Sequence, residues 1–256
     1  IAIITLNRPD RMNAWNDQMA VDISHALAAC DENDDVRAVV ITGTGGAFCA
    51  GADFFSGDKA EFEKGDDNSS DLPPSWPDVM PWHVRKPVLA AINGHAIGVG
   101  ITFPMTCDIR FVAEDAKVQF AFVRRGVLPE LASHVILPRI AGFSNAADLL
   151  LTGRMISGRE LAGMGLATAA LPADQVLEAT IDRARETLKA APVSVAMSKR
   201  LLWEGLTAPV EDMLRREVPL FFYAAEQADA IEGFSSFLEK RNPVWKLKVS
   251  KDMPDM

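Results

Sequence analysis

Two short segments of small residues, each placed directly after an apolar run, constrain this chain more than any other feature of it. Ala47-Phe48-Cys49-Ala50-Gly51-Ala52-Asp53 follows the buried-strand pattern Val36-Arg37-Ala38-Val39-Val40-Ile41-Thr42. Asn93-Gly94-His95-Ala96-Ile97-Gly98-Val99-Gly100 follows Val88-Leu89-Ala90-Ala91-Ile92. Small residues at the exit of a strand let a ligand approach bare backbone N–H groups. Two such groups, one from each segment, can converge on a single oxygen, which is the arrangement of an oxyanion hole. The plainer reading is that both segments are tight turns.

Apolar runs at 1–6, 36–42, 88–92, 107–113 and 166–171 predict strands, and the stretches 17–31, 99–106, 130–141, 144–151 and 158–164 predict helices between them. Such alternation implies an α/β core with mostly parallel pairing. From about residue 174 the strand signals stop, and 173–190, 193–205, 209–229 and 230–240 read as helices, with Pro192 and Pro209 marking breaks. Residues 56–81 are polar and then proline-marked, either a linker or a lid that faces a ligand and shapes its pocket.

Composition excludes several classes. A net charge of −9 lacks the basic face that a general nucleic-acid binder needs, though local cations can still hold an anionic small ligand. No window approaches the uninterrupted apolar length of a membrane span. Cys30, Cys49 and Cys107 show no metal spacing and cannot all pair, so a reduced, cytoplasmic setting is expected. The first residues read as a strand and not a signal peptide. They begin mid-pattern without an initiator Met, so further residues are expected ahead of Ile1.

The succession of motifs resembles the crotonase, or enoyl-CoA hydratase/isomerase, superfamily. It runs through Asn7-Arg8-Pro9, Met12-Asn13-Ala14, the two small-residue segments, Lys86-Pro87-Val88 and Cys107-Asp108-Ile109. It continues through Leu137-Pro138-Arg139 and Leu151-Thr152-Gly153-Arg154, and closes with Glu232-Gly233-Phe234-Ser235-Ser236-Phe237-Leu238-Glu239-Lys240-Arg241. The resemblance implies a spiral of ββα units over 1–190 and a helical region over 191–256 that builds homotrimers, often paired into hexamers. It implies an acyl-CoA thioester substrate, with coenzyme A part of the substrate and no separate cofactor. The shared chemistry holds a thioester enolate with two backbone N–H groups, expected by position at Ala50 and Val99. Val99 is expected to open a helix whose dipole assists, with Pro104 tolerable only in the first turn. Met12, Ala14, Ala52, Asp53, Phe54, Phe237 and Lys240 lie where the family contacts coenzyme A, the last two often from a neighbouring subunit. Asp53 equally suits a turn cap, and Phe237 a trimer core.

Hydratases of the family carry two glutamates that activate water. Here their positions hold Thr102, three residues beyond the second donor, and Phe122, neither of which serves as a base near neutral pH. One carboxylate remains, Glu130 in Gly126-Val127-Leu128-Pro129-Glu130, where several family isomerases carry their single acid. A 3,2-enoyl-CoA isomerase needs only one base, and Phe120, Phe122, Leu128 and Leu131 are expected to raise its pKa by desolvation. The bland alternative is a surface Glu at a helix N-terminus. His134, four residues on, is expected on the same helical face, to orient Glu130, to act itself or merely to pack; His83 reaches the substrate or does not. His95 and Cys49 read as structural, and no metal is implied. The isomerase reading stands beside hydration by a reduced acid set, lyase or thioester-hydrolase chemistry, and a non-catalytic acyl-CoA-binding member.

Overall fold

Val39–Gly43 (β2) and Val88–Ile92 (β4) are buried along their whole length, as uniformly apolar runs are in the middle of a parallel sheet. In the computed structural model, which describes residues 1–53 and 76–254, the two lie side by side with Val39 opposite Val88. Ala2–Leu6 (β1) pairs with β2, Ile109–Ala113 (β6) with β4, and Ala169–Leu171 (β9) with β6, giving a parallel sheet in the order β1-β2-β4-β6-β9. β1 lies at the edge and alternates between half-buried and exposed positions up to buried Leu6.

A second sheet, absent from the sequence expectations, is built from Ala47–Cys49 (β3), His95–Ile97 (β5), Lys117–Gln119 (β7) and Met155–Ser157 (β8), in the order β3-β5-β7-β8. Each strand is only three residues long, too short for an alternating pattern to register. Only β7 and β8 pair antiparallel. Three times the chain leaves a strand of the first sheet, turns, and enters the second: β2 to β3, β4 to β5, β6 to β7. That step, repeated along one direction, is the crotonase-like spiral.

Helix Asp17–Glu32 (α1) starts at an Asn16 cap, whose side chain accepts from Met19 N–H at 3.1 Å, and buries Met19, Ala20, Ile23 and Leu27 on one face. Val99–Met105 (α2) is apolar but for Thr102 and is buried from Gly100 to Met105. Pro104 is not in its first turn but sixth of seven residues; the helix tolerates it by ending at the next residue. Ser133–Ala141 (α3) begins three residues later than the pattern suggested, because Leu131 and Ala132 adopt φ of 52° and 56°, which cannot continue a right-handed helix. Phe143–Thr152 (α4) and Gly158–Gly163 (α5) follow, the latter opened by a Ser157/Glu160 capping box. Val176–Thr187 (α6) lies across β2, β4 and β6.

Pro192–Gly205 (α7) is fastened to the core by buried Lys199, which pairs with Asp108 at 2.8 Å and donates to the carbonyls of Pro81 and Lys86. Val210–Ala225 (α8) and Ala228–Leu238 (α9) pack on each other, and Val249–Asp252 (α10) returns to α7. Val210, Leu214, Val218 and Phe221 form an exposed apolar row on α8, and Ile231, Phe234, Phe237 and Leu238 are exposed on α9. No described helix is long and apolar enough to cross a membrane.

Candidate active site

The Met12–Trp15 segment is pinned from beneath by Asn13, whose buried side chain donates to Thr44 O at 2.9 Å and Ala47 O at 2.8 Å and accepts from Arg8 N–H at 2.9 Å. Thus fixed, the segment runs parallel to residues 50–53. Ala50 N–H donates to Met12 O at 3.0 Å, Trp15 N–H to Gly51 O at 2.8 Å, and Asp53 N–H to Trp15 O at 2.8 Å. These bonds settle which N–H groups are available. Ala50 cannot be the first donor, because its N–H is already held by Met12. In extended chain, the groups of Ala52 point to the side opposite those of Gly51 C=O and Asp53 N–H. Ala52 N–H therefore faces away from the Met12–Trp15 segment, and no described residue receives it.

On that far side stand Ile97 and Gly98. A Cβ on Gly51 would come within 3.1 Å of Ile97 O, so the two backbones meet directly. Gly51 has φ of 101° and Gly98 φ of 56°, conformations that suit glycine. Gly98 N–H is taken by Gln119 O at 2.9 Å, whereas Val99, first residue of α2, has no carbonyl partner among the described residues. The two half-buried N–H groups left over, Ala52 and Val99, each follow one of these facing glycines. Gly100 admits the close packing behind them, since a Cβ there would stand 2.2 Å from Cys49 O.

Thr102 lies one helical turn beyond Val99, a rise of about 4.5 Å. It is fully buried, and its hydroxyl donates a short hydrogen bond to Glu130 Oε1. Glu130 Oε2 is buried without any hydrogen-bond partner among the described residues. Burial pushes the Glu130 carboxyl up from 4.5 to about 7, and the Thr102 hydrogen bond opposes that shift in part. Glu130 thus does not belong to a surface helix terminus. It precedes the left-handed Leu131–Ala132 pair, and Ser133 N–H donates to its backbone carbonyl at 3.1 Å. Phe120 and Leu131 are buried and Phe122 is partly buried against the core, but Leu128 is 75% exposed and encloses nothing.

Other expected residues fall elsewhere. His134 is exposed on α3, and since Glu130 is not helical the two share no helix face. His83 accepts from Met80 N–H at 3.1 Å, stands edge-on to Trp82, and lies on the turn before β4, at the opposite end of that strand from the Asn93 turn. His95 accepts from Lys117 N–H at 3.1 Å in a bracing role, and Cys49, its thiol pushed up to about 12 by burial, packs. Asp53, 4% exposed, forms a 2.8 Å ion pair with Arg8, which also donates to Ala14 O. Met12 is 59% exposed at the rim. Phe237 and Lys240 are exposed at the end of α9, whose packing is against α8 and Trp245. Phe54 and most of the 56–81 excursion lie outside the described residues; its tail is not loose, for Met80 is 3% exposed and Val79 N–H donates to Ser24 Oγ at 3.0 Å. Among the described residues no group of three His, Cys, Asp or Glu is placed to hold a metal ion.

Two contributions to the site carry no obvious mark in the sequence: the Arg8 side chain, and Thr102 as a partner of Glu130. By position alone Thr102 counts only as a missing glutamate. The available signal is its hydroxyl on the face of α2 that also carries Val99, one turn away.

Two unheld N–H groups, each one residue past one of two facing glycines, with a neutral-range carboxyl bonded one turn along α2, are the parts that can stabilise an oxyanion while a proton moves on and off the neighbouring carbon. Known proteins are similar to this chain in sequence and fold along nearly its whole length. Residues 1–248 match the family model described as enoyl-CoA hydratase/isomerase. The enoyl-CoA hydratase ACTT3 of Alternaria alternata is 36% identical over 245 residues, covering 95% of this chain and 82% of that protein. A probable enoyl-CoA hydratase of Bacillus subtilis is 34% identical over 251 residues, covering 96% and 95%. Among solved structures, a probable enoyl-CoA hydratase/isomerase from Mycobacterium abscessus superposes with a TM-score of 0.88 at 34% identity, covering 95% of this chain and 94% of that one. Spiral, facing glycines and matches along nearly the whole length converge: the chain belongs to the enoyl-CoA hydratase/isomerase family.

Proposed function

We propose that this enzyme moves a proton between C2 and C4 of an enoyl-CoA thioester, in the manner of a 3,2-enoyl-CoA isomerase, with Ala52 and Val99 as oxyanion donors and Glu130 as its single acid/base. The observation that carries this reading is the carboxyl of Glu130, buried, with Oε2 unpartnered among the described residues, while Phe122 stands at the sequence position of a second acid. Glu130 Oε2 takes the proton from C2. The C–H electron pair moves into the C1–C2 bond, and the thioester oxygen becomes an enolate facing the two N–H groups. The same carboxyl then returns the proton at C4, the enolate electrons flow back, and the double bond lies between C2 and C3. No water is consumed and no charge is left over. Each oxyanion donor of this type contributes about 3–4 kcal/mol to the transition state.

Coenzyme A, an anion on a chain of charge −9, needs local cations. Met12, Ala14 and Asp53 border the donor segment, and Phe237 with Lys240 supply an exposed aromatic and cation suited to a neighbouring subunit's nucleotide. The exposed apolar rows of α8 and α9 support a homotrimer built through those helices.

The relatives' names favour hydration as a second reading, in which Glu130 alone would have to activate water. Incubation with cis-3-enoyl-CoA and with trans-2-enoyl-CoA separates the two. Interconversion of the enoyl esters without 3-hydroxyacyl-CoA is expected; formation of the hydroxy ester as main product overturns the isomerase assignment.

A further inference from the structure

The two oxygens of Glu130 are not equivalent. Oε1 is held by Thr102, and Oε2 is buried with nothing among the described residues to bond to. Thr102 itself is fully buried on α2, and its Oγ is 3.4 Å from Gly98 O, a distance at which that carbonyl competes only weakly for the hydroxyl hydrogen. We propose that Thr102 is a positioning residue that dedicates Oε2 to the substrate: its hydrogen occupies Oε1, so that a proton taken by Glu130 arrives at Oε2 and leaves from it. The inference rests on the reading of Glu130 as the acid/base.

With the hydroxyl hydrogen on Oε1, a protonated carboxyl has no reason to move its proton there, since two hydrogens would then face each other. The carboxyl also cannot rotate about its terminal torsion without breaking the bond to Thr102. Behind it, Leu131 and Ala132, both in the left-handed region, set the backbone from which the side chain departs. A glutamate in place of Thr102 would itself bear a second carboxyl; the threonine turns that position from a reacting group into a clamp.

No charged group among the described residues enters this balance. α2 carries none; His134 and Arg139 on α3 are not turned into the site, and Arg124 and Arg125 lie on the turn before Glu130, with Arg124 donating to Thr152 O. What moves Glu130 is burial and the Thr102 hydroxyl.

The test compares Thr102→Val with Thr102→Ser, and uses Thr102→Ala should the valine variant not fold. The carboxyl of Glu130 is followed by 13C NMR titration without substrate, assigned by its loss in Glu130→Gln. Removing the hydroxyl is expected to raise its midpoint by about one unit, since a bond to the ionised form is lost. It is also expected to lower kcat ~10- to 100-fold with KM for the enoyl-CoA unchanged, and serine is expected to restore both. A hydroxyl-free variant in which neither the Glu130 midpoint nor kcat moves overturns the proposal. The acid/base reading fails separately: a Glu130→Gln enzyme that isomerises at full rate refutes it, whatever the titration of the Thr102 variants shows.

Discussion

Gly51 and Gly98 face each other across the site, with the Cα of Gly51 3.9 Å from where a Cβ on Gly98 would stand. Each turns the chain through a positive φ, and each is followed by a residue whose N–H no described carbonyl holds. The pair sets the direction of the two N–H groups proposed as oxyanion donors.

Gly51→Ala tests that aim. At φ of 101°, with Ile97 O 3.1 Å from the added methyl, the alanine must push the two segments apart. A loss of ~100-fold in kcat is expected, with about 1–3 kcal/mol of stability. Gly45→Ala is the comparison, since φ is 78° there but nothing lies within 4 Å: stability should fall while turnover holds. Full activity in Gly51→Ala would show that the donors are elsewhere.

Glu130 should make the protein less stable as pH rises. Its folded pKa, about 7, lies above the usual 4.5, so the neutral buried acid contributes fully below about pH 4.5 and that contribution is lost as pH rises through 7. Between about pH 5 and 8 the unfolding free energy should drop by about 2–3 kcal/mol relative to Glu130→Gln. Urea titrations of both proteins at the two pH values measure the difference, and parallel curves would mean the carboxyl is not buried in solution.

The same group should shape the rate. A proposed base at Glu130 takes a proton only when ionised, so kcat/KM for a 3-enoyl thioester should climb with pH and level off above about 7. A profile that is flat from about pH 5.5 to 8.5 would remove Glu130 from the role of base.

Asn13→Ala should cost about 2–4 kcal/mol, because it strands one buried and one half-buried carbonyl and an N–H that the amide satisfies at 2.8–2.9 Å. Activity should fall along with stability as the Met12–Trp15 segment loosens. Thermal unfolding and steady-state kinetics on the same preparation show whether the two losses travel together.

Much of the fold is legible in the residues themselves, and the reasons are local. The central strands of the first sheet announce themselves because they are buried on both faces, and the helices from 173 to 240 because each has a clear stripe or a proline boundary. The second sheet stays hidden because three-residue strands carry no period. The site is legible as a pair of segments, yet position in the motif points to Ala50 N–H, which Met12 O holds, and not to Ala52 N–H two residues on, which no described carbonyl holds. Ala50 and Ala52 look alike in sequence. They are told apart only by the partner strand Met12–Trp15, which is distant in the chain and takes one N–H while turning the other outward. The late start of α3 has a similar origin: nothing in Leu131-Ala132 signals a left-handed pair.

Stitched edge to edge, residues 12–15 and 50–53 form one ribbon. A load on the rim near Met12 is therefore passed straight to the backbone that carries Ala52. Holding one edge of that ribbon and setting the direction of the other are one mechanical act.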